Sequence, residues 1–427
     1  MATITVSASG GNYNATTTWI GGVVPVSTDD IVADATSGNL TINGTYNINN
    51  VDFTNYLGTL SFSFSTGSGR LNMFGTSITF NPTMSVLYRS LGQGILYIPM
   101  YFGRTSGTMN ISANGLTFSH IMSEGGSIKN FTTPVVLDCL YNNTLTSFDP
   151  GLTGDGRSIF NTSTYQGDIS IINGYIFNNS DTMTIAAGST MSFKGNVGWA
   201  LSNFLNIQGM LVIDCGSGTF SCRTAPTGTM RWKYISGNLD DRFSPSYLKP
   251  RCTPAPSGYF ETSGMTWSSI FVAAANSTMI CAEKLKIDVL QINPQGTNTT
   301  TTFTGINGAD ISNAWINKAS NITSNNATAI LFENGATYSF GRLIANGTPN
   351  LLTNYQYTLR GATASGTKSN IIVSDYANLS LLNLVDLNAP TPIYVAGGAA
   401  NTLTRTTGFT TTPVSGGGGG GSFTFVN

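Results

Sequence analysis

The chain has 427 residues, only 9% of them charged, and 19 Lys and Arg stand against 20 Asp and Glu for a formal net charge of -1. An average soluble protein is about 25% charged, and this chain carries no basic footprint, so nucleic acid is excluded as a main partner. Ser, Thr and Asn make up 145 residues and Gly another 49, yet aromatics reach 11%. Disordered chains lack such aromatic content, and with only four Glu the composition is poor for helices. A folded, mostly β protein is expected.

Residues 1–35 are expected to be an N-terminal cap or docking segment. The opening MATITVSASGGNYNATTTW has neither a basic n-region nor an apolar h-region, so no signal peptide is expected. Nor does any stretch reach the 18 apolar residues of a membrane span, so no membrane insertion is expected. Trp19 with Gly21, Gly22 and Pro25 reads as an aromatic lid closing the end of a core, with docking on a neighbouring protein as the functional alternative. Asp29, Asp30 and Asp34 offer the oxygen ligands a hard cation wants, but their spacing fits no calcium loop, and carboxylates so placed cap turns. No metal and no cofactor is expected.

From 36 to 214 a short motif recurs: an alternating apolar pair, a turn, then a second pair ending in Phe. Leu71-Asn72-Met73-Phe74-Gly75-Thr76-Ser77-Ile78-Thr79-Phe80 is one copy, and Met183 to Phe193, turning at Gly188, is another. Met109 to Phe118, turning at Asn114-Gly115, is a looser one. Period-2 alternation turns one face of each strand inward, and Gly or Asn supplies the positive-φ corner. The recurrence, the Asn and Thr available for stacking, and the absence of regular hairpin punctuation favour an all-β fold of right-handed parallel β-helix (solenoid) type. Tandem β-sandwich domains are the alternative. At roughly 4.8 Å per strand, a dozen coils would make a rod about 60 Å long.

Residues 215–270 break the pattern with a local excess of charge, aromatics and proline. Pro226, Pro245, Pro250, Pro254 and Pro256 argue against central strands, so a loop-rich lateral excursion is expected. Asp240, Asp241 and Glu261 are the candidates for a glycan-cleaving carboxylate pair, with Trp232, Tyr234, Tyr259 and Trp267 as sugar platforms. The plainer reading pairs Asp240 and Asp241 with Arg242 and Arg231 on a solvated loop, and no catalytic residue is expected. Trp232, Tyr234, Arg242, Tyr259 and Trp267 are instead read as a protein-docking surface, because such residues are enriched at interface hot spots.

The motif resumes in 271–410, where Ile330 to Phe340 turns at Gly335, and in three of the four copies Phe follows Gly by five residues. The final segment, 411–427, carries six glycines from Gly416 to Gly421 and then Phe423, Phe425 and Val426 in alternation. This reads as a tether bearing a strand for a neighbouring subunit. The cysteines, Cys139, Cys215, Cys222, Cys252 and Cys281, contain no CxxC, and His120 is the one histidine. Redox motifs and ordinary zinc sites are therefore not expected. The thiols are expected free and buried, and His120 on a surface or edge.

Gly11-Asn12-Tyr13-Asn14, Thr18-Trp19-Ile20-Gly21-Gly22-Val23-Val24-Pro25 and Asp29-Asp30-Ile31-Val32 resemble the opening of β-helical phage structural proteins and bacterial β-helical surface adhesins. Gly38-Asn39-Leu40-Thr41-Ile42-Asn43-Gly44, Val51 to Leu60, Thr337 to Phe340, Leu343 to Gly347 and Tyr376 to Leu379 resemble the coils of the same group. The resemblance covers some 150 residues in two blocks. It implies a bacteriophage virion protein or a bacterial surface adhesin, and with four Glu and no motif around the candidate carboxylates the chain is read as a non-enzymatic virion protein, a capsid decoration or head fibre or a tail spike or fibre. Its partners would be other virion proteins, further copies of itself (a trimer) and a host-surface polysaccharide. A glycan-cleaving spike and a secreted adhesin are the alternatives.

Overall fold

The computed structural model describes residues 1–63, 69–88, 100–118, 121–123, 125–138, 157–160, 163–178, 183–195, 197–201, 204–222, 227–239, 251–261, 266–272, 276–292, 300–317, 328–346, 357–363, 367–380, 382–395 and 402–410. The fold is all-β with parallel sheets. Among the described residues the one helical element is the short 3-10 turn Thr16–Thr18. The chain divides into two compact units, Met1–Ser269 and Ile270–Asn427.

In the first unit the strands pair in parallel with strands about 20 to 35 residues away, a repeat-like spacing. Asp30–Val32 lies between Thr3–Thr5 and Val51–Phe53, and Val51–Phe53 pairs on with Ser77–Phe80. Ser77–Phe80 meets Thr108–Ser112, which meets Ile128–Phe131. The register makes Ile31, Val51, Ile78, Ile111 and Phe131 one column, and all five are buried. Because side chains alternate along a strand, holding one column inward holds every second residue inward. The motif copies obey this rule. Leu71, Met73, Ile78 and Phe80 are buried, as are Met109, Ile111 and Phe118, and Met183, Ile185, Met191 and Phe193.

Two different constraints select glycine at the motif corners. Gly188 has φ +77°, a conformation that disfavours a side chain. Gly75 is held by crowding instead, since a Cβ there would stand 2.1 Å from Asn50 Oδ1. Asparagine joins successive strands at the corners. Asn50 Oδ1 accepts from the N–H groups of Thr76 and Ser77 at 2.8 and 2.9 Å. Asn81 donates to Thr54 O at 2.7 Å and Asn114 to Phe80 O at 2.8 Å. Along the strands, register partners make amide ladders, Asn72 donating to Asn47 at 2.7 Å and Asn130 to Asn110 at 2.8 Å.

The described residues of 215–270 depart from the loop-rich excursion expected there, while 223–226, 240–250 and 262–265 lie outside the described residues. Met210–Cys222, Thr227–Leu239, Arg251–Glu261 and Thr266–Val272 are strands, and the first three pair in parallel. Pro254 lies opposite Gly228, but the register then slips, so that Met230 faces Gly258. Pro256 falls in that irregularity, where it has no register partner in Thr227–Leu239. Proline shapes this strand without preventing it.

The second unit contains two parallel ladders. One runs through Asn276–Cys281, Thr300–Thr304, Thr328–Phe332, Tyr357–Gly361, Leu382–Val385 and Thr402–Thr404. The other runs through Leu285–Ile292, Ala309–Asn317, Thr337–Asn346, Ser369–Ser380, Leu387–Tyr394 and Thr407–Thr410. Ile330, Phe332, Tyr338 and Phe340 of the motif are buried, and the Phe303 and Phe332 rings stack at 5.8 Å.

Candidate functional site

The aromatic and charged residues of 227–267 separate by strand parity. Trp232 stands in register with Leu211 on one side and Phe260 on the other, and all three are buried. Trp267 is buried as well, 5.5 Å from the Trp232 ring and 5.3 Å from that of Phe260. Both tryptophans, expected as sugar platforms or docking anchors, are core residues. Alternation decides the matter: a strand that points Leu211 inward points its register partner inward too.

The residues on either side of Trp232 face the other way. Arg231 pairs with Tyr259, its guanidinium 4.7 Å from the ring centroid. Lys233 pairs with Glu261 and binds its carboxylate at 2.6 Å, both side chains being partly exposed. The ion pair is the observed partnership of Glu261. Tyr234 is half-buried and donates its hydroxyl to Gly237 O at 2.8 Å. Arg231 thus sits on Tyr259, whereas Asp240, Asp241 and Arg242 lie outside the described residues. So do His120, Phe423, Phe425 and Val426, together with the six glycines.

At the N-terminus, Trp19 is buried and bridges Val6 in the antiparallel sense. Its indole donates to Tyr13 O at 2.7 Å, and its ring meets that of Tyr13 edge-on at 5.0 Å. Tyr13 in turn stacks on Tyr46 at 4.0 Å and donates to Pro25 O at 3.4 Å, and burial pushes its phenol pKa up. Gly21 and Gly22 take φ values of +85° and +69°, reversing the chain between Trp19 and Pro25. Ile20, Val23 and Val26 beside them are exposed.

The three N-terminal aspartates bind chain rather than one another. Asp29 accepts from the N–H groups of Ala2 and Val26 at 2.8 and 3.1 Å, which lowers its pKa. Asp30 accepts from Asn49 Nδ2 at 2.7 Å and from the Asn50 N–H at 3.1 Å. Asp34 caps the turn through Thr36 and Ser37. Among the described residues, no three His, Cys, Asp or Glu side chains gather as a metal site. Cys215 and Cys281 are buried free thiols, each with its pKa pushed up to about 12 by burial.

Two features escape the sequence reading. Lys129 is buried, its ammonium donating to Arg104 O at 2.8 Å and to Ser127. Its strand alternates normally, so Lys129 shares the inward parity of Phe131, and its charge concealed that parity. The second is the outward face of the ladder from Leu285–Ile292 to Ser369–Ser380. There Gln291, Trp315, Ile344 and Asn378 form one register column, and Val289, Asn313, Arg342 and Tyr376 form another. Tyr376 is 49% exposed. Strand parity was the available signal here, since Trp315 lies between two inward residues, Ala314 and Ile316. Comparison of the chain with protein-family models, curated proteins and solved structures finds no match.

Proposed function

We propose that each unit is a right-handed parallel β-helix and that the chain is a non-enzymatic structural protein of a bacteriophage particle. In this reading it is an exposed appendage, a capsid decoration or head fibre or a tail spike or fibre. The observation that carries the reading is the repetition of parallel, in-register strands with buried columns such as Ile31, Val51, Ile78, Ile111 and Phe131. Such a stack presents neutral Ser, Thr and Asn to solvent and gains its rigidity from repetition, which suits a structural part. The Trp19–Tyr13–Tyr46 cluster caps the N-terminal end.

The virion assignment rests on the resemblance of the opening residues and the later coils. Further copies of the chain, arranged as a trimer, and other virion proteins are its partners, with a host-surface polysaccharide as the external ligand. Phe423, Phe425 and Val426 attach to a neighbouring subunit as an added edge strand, with Gly416 to Gly421 supplying reach. Antibody labelling of intact particles tests the assignment: label on the particle surface is expected, and unlabelled particles refute it. Deleting residues 416–427 should abolish incorporation, and normal incorporation would refute the strand-donation step.

A further inference from the structure

We infer that the outward face formed by Leu285–Ile292, Ala309–Asn317, Thr337–Asn346 and Ser369–Ser380 binds a neutral hexose polymer, with Trp315 and Tyr376 as stacking platforms and Gln291, Asn313, Arg342 and Asn378 as hydrogen-bonding groups. The inference rests on the exposed-appendage reading and deepens it by naming the surface and ligand chemistry.

Four observations carry it. First, the face is outward by register: Ala314 and Ile316 are 1% exposed, so Asn313 and Trp315 between and beside them point away from the core. Second, the aromatic residues are spaced for a chain. Trp315 and Tyr376 lie two strands apart across Thr337–Asn346, which is about 10 Å along the ladder and comparable to the reach of a disaccharide. Sugar C–H faces pack on aromatic rings, while planar amide and guanidinium groups pair with vicinal hydroxyls. Third, the polar side chains alternate with the rings in adjacent columns, so the face is mixed rather than an apolar patch of the kind a second protein copy would bury. Fourth, the charge is balanced. Lys284, Lys286 and Arg342 stand against Asp288, Asp310 and Asp375, with Lys284 bound to Asp310 at 2.8 Å and Arg342 to Asp375 at 2.7 Å. A face with no net charge has no electrostatic complement in an acidic polysaccharide, which selects a neutral one.

The test presents the full-length protein to an array of neutral and acidic bacterial-surface oligosaccharides, at low and high salt. Binding to neutral hexose chains is expected, with little salt dependence because no net charge is neutralised. Trp315→Ala and Tyr376→Ala should each weaken it at least about tenfold, the loss of one stacking contact, while Trp315→Phe retains most of it. Urea midpoints equal to that of the unsubstituted protein establish that the variants fold. The inference is overturned if no array glycan binds, if binding is confined to acidic chains and collapses in salt, or if the folded variants bind normally. It is overturned as well if the variants lose self-association instead. Particles carrying Trp315→Ala separate this inference from the broader reading. Normal incorporation with lost host adsorption supports both, whereas absence of the unsubstituted protein from particles removes the appendage and leaves the array result standing.

Discussion

Asp386 has φ +56° and Arg405 φ +50°, two left-handed corners that follow the register partners Val385 and Thr404. Their side chains form a two-point ion pair, Arg405 Nε and Nη2 meeting the carboxylate oxygens at 2.5 and 2.6 Å. That contact is the main reason the Asp386 pKa is lowered, against an opposing effect of burial. A carboxylate whose pKa is lower folded than unfolded stabilises the fold above the ordinary carboxylate value near 4 and loses that contribution as pH falls through the folded value. Urea midpoints followed from pH 6 downward should therefore fall less steeply for Asp386→Asn than for the unsubstituted protein. Identical slopes would show that the pair contributes nothing to acid sensitivity. Residue chemistry of this kind is only partly legible in sequence. Asn-rich corners announce themselves, and Asp29, Asp30 and Asp34 cap the chain as their spacing suggests. A pairing across 19 residues, such as Asp386 with Arg405, has no local signature.

An element is read correctly when its alternation is clean and misread when composition is allowed to outweigh alternation. The Phe-ended motifs fall in the first class: Phe80 packs edge-on to Phe53 and Phe118 because period-2 patterning and a corner glycine are both local. Thr227–Leu239 and Arg251–Glu261 fall in the second. Their charge and proline suggest a loop, yet Met230, Trp232 and Tyr234 already alternate with Arg231 and Lys233. What composition cannot disclose is the register slip that accommodates Pro256. The consequence for Trp232 and Trp267 is testable. Each fills the interior between strands, so Trp232→Ala and Trp267→Ala should cost about 3 to 5 kcal/mol of stability in urea denaturation, the penalty for emptying an aromatic core site. Variants that melt normally but lose a partner would restore these residues to an interface. Half-buried Tyr259→Ala, by contrast, gives up a cation–π contact worth about 0.5 to 1 kcal/mol.

Among the described residues, the strand pairings of both units are parallel ladders between strands distant in sequence, and in the proposed β-helix this connectivity makes stability additive along each unit. In the second unit each of the two ladders ends, among the described residues, on a short strand: Thr402–Thr404 against Asn383 to Val385, and Thr407–Thr410 against Leu387–Tyr394. Removing them strips one partner from strands that keep the other, Tyr357–Gly361 and Ser369–Ser380 respectively. A nearest-neighbour stack predicts that a chain ending at 410 keeps the strand signal of both ladders, and that chains ending at 401 and 381 lose far-UV strand signal in steps while the remaining protein still melts cooperatively. A globular domain with one shared core predicts the reverse, collapse of the whole unit as soon as the 401 cut removes the terminal strands. The same connectivity governs kinetics. Pairing partners such as Ile78 and Ile111 are distant in sequence, with the strands Ser85–Tyr88 and Met100–Phe102 between them, so refolding belongs at the slow end of the range for its size. If the three truncations unfold all at once, the strands form a single cooperative body, and the proposed β-helix of the second unit falls with that result.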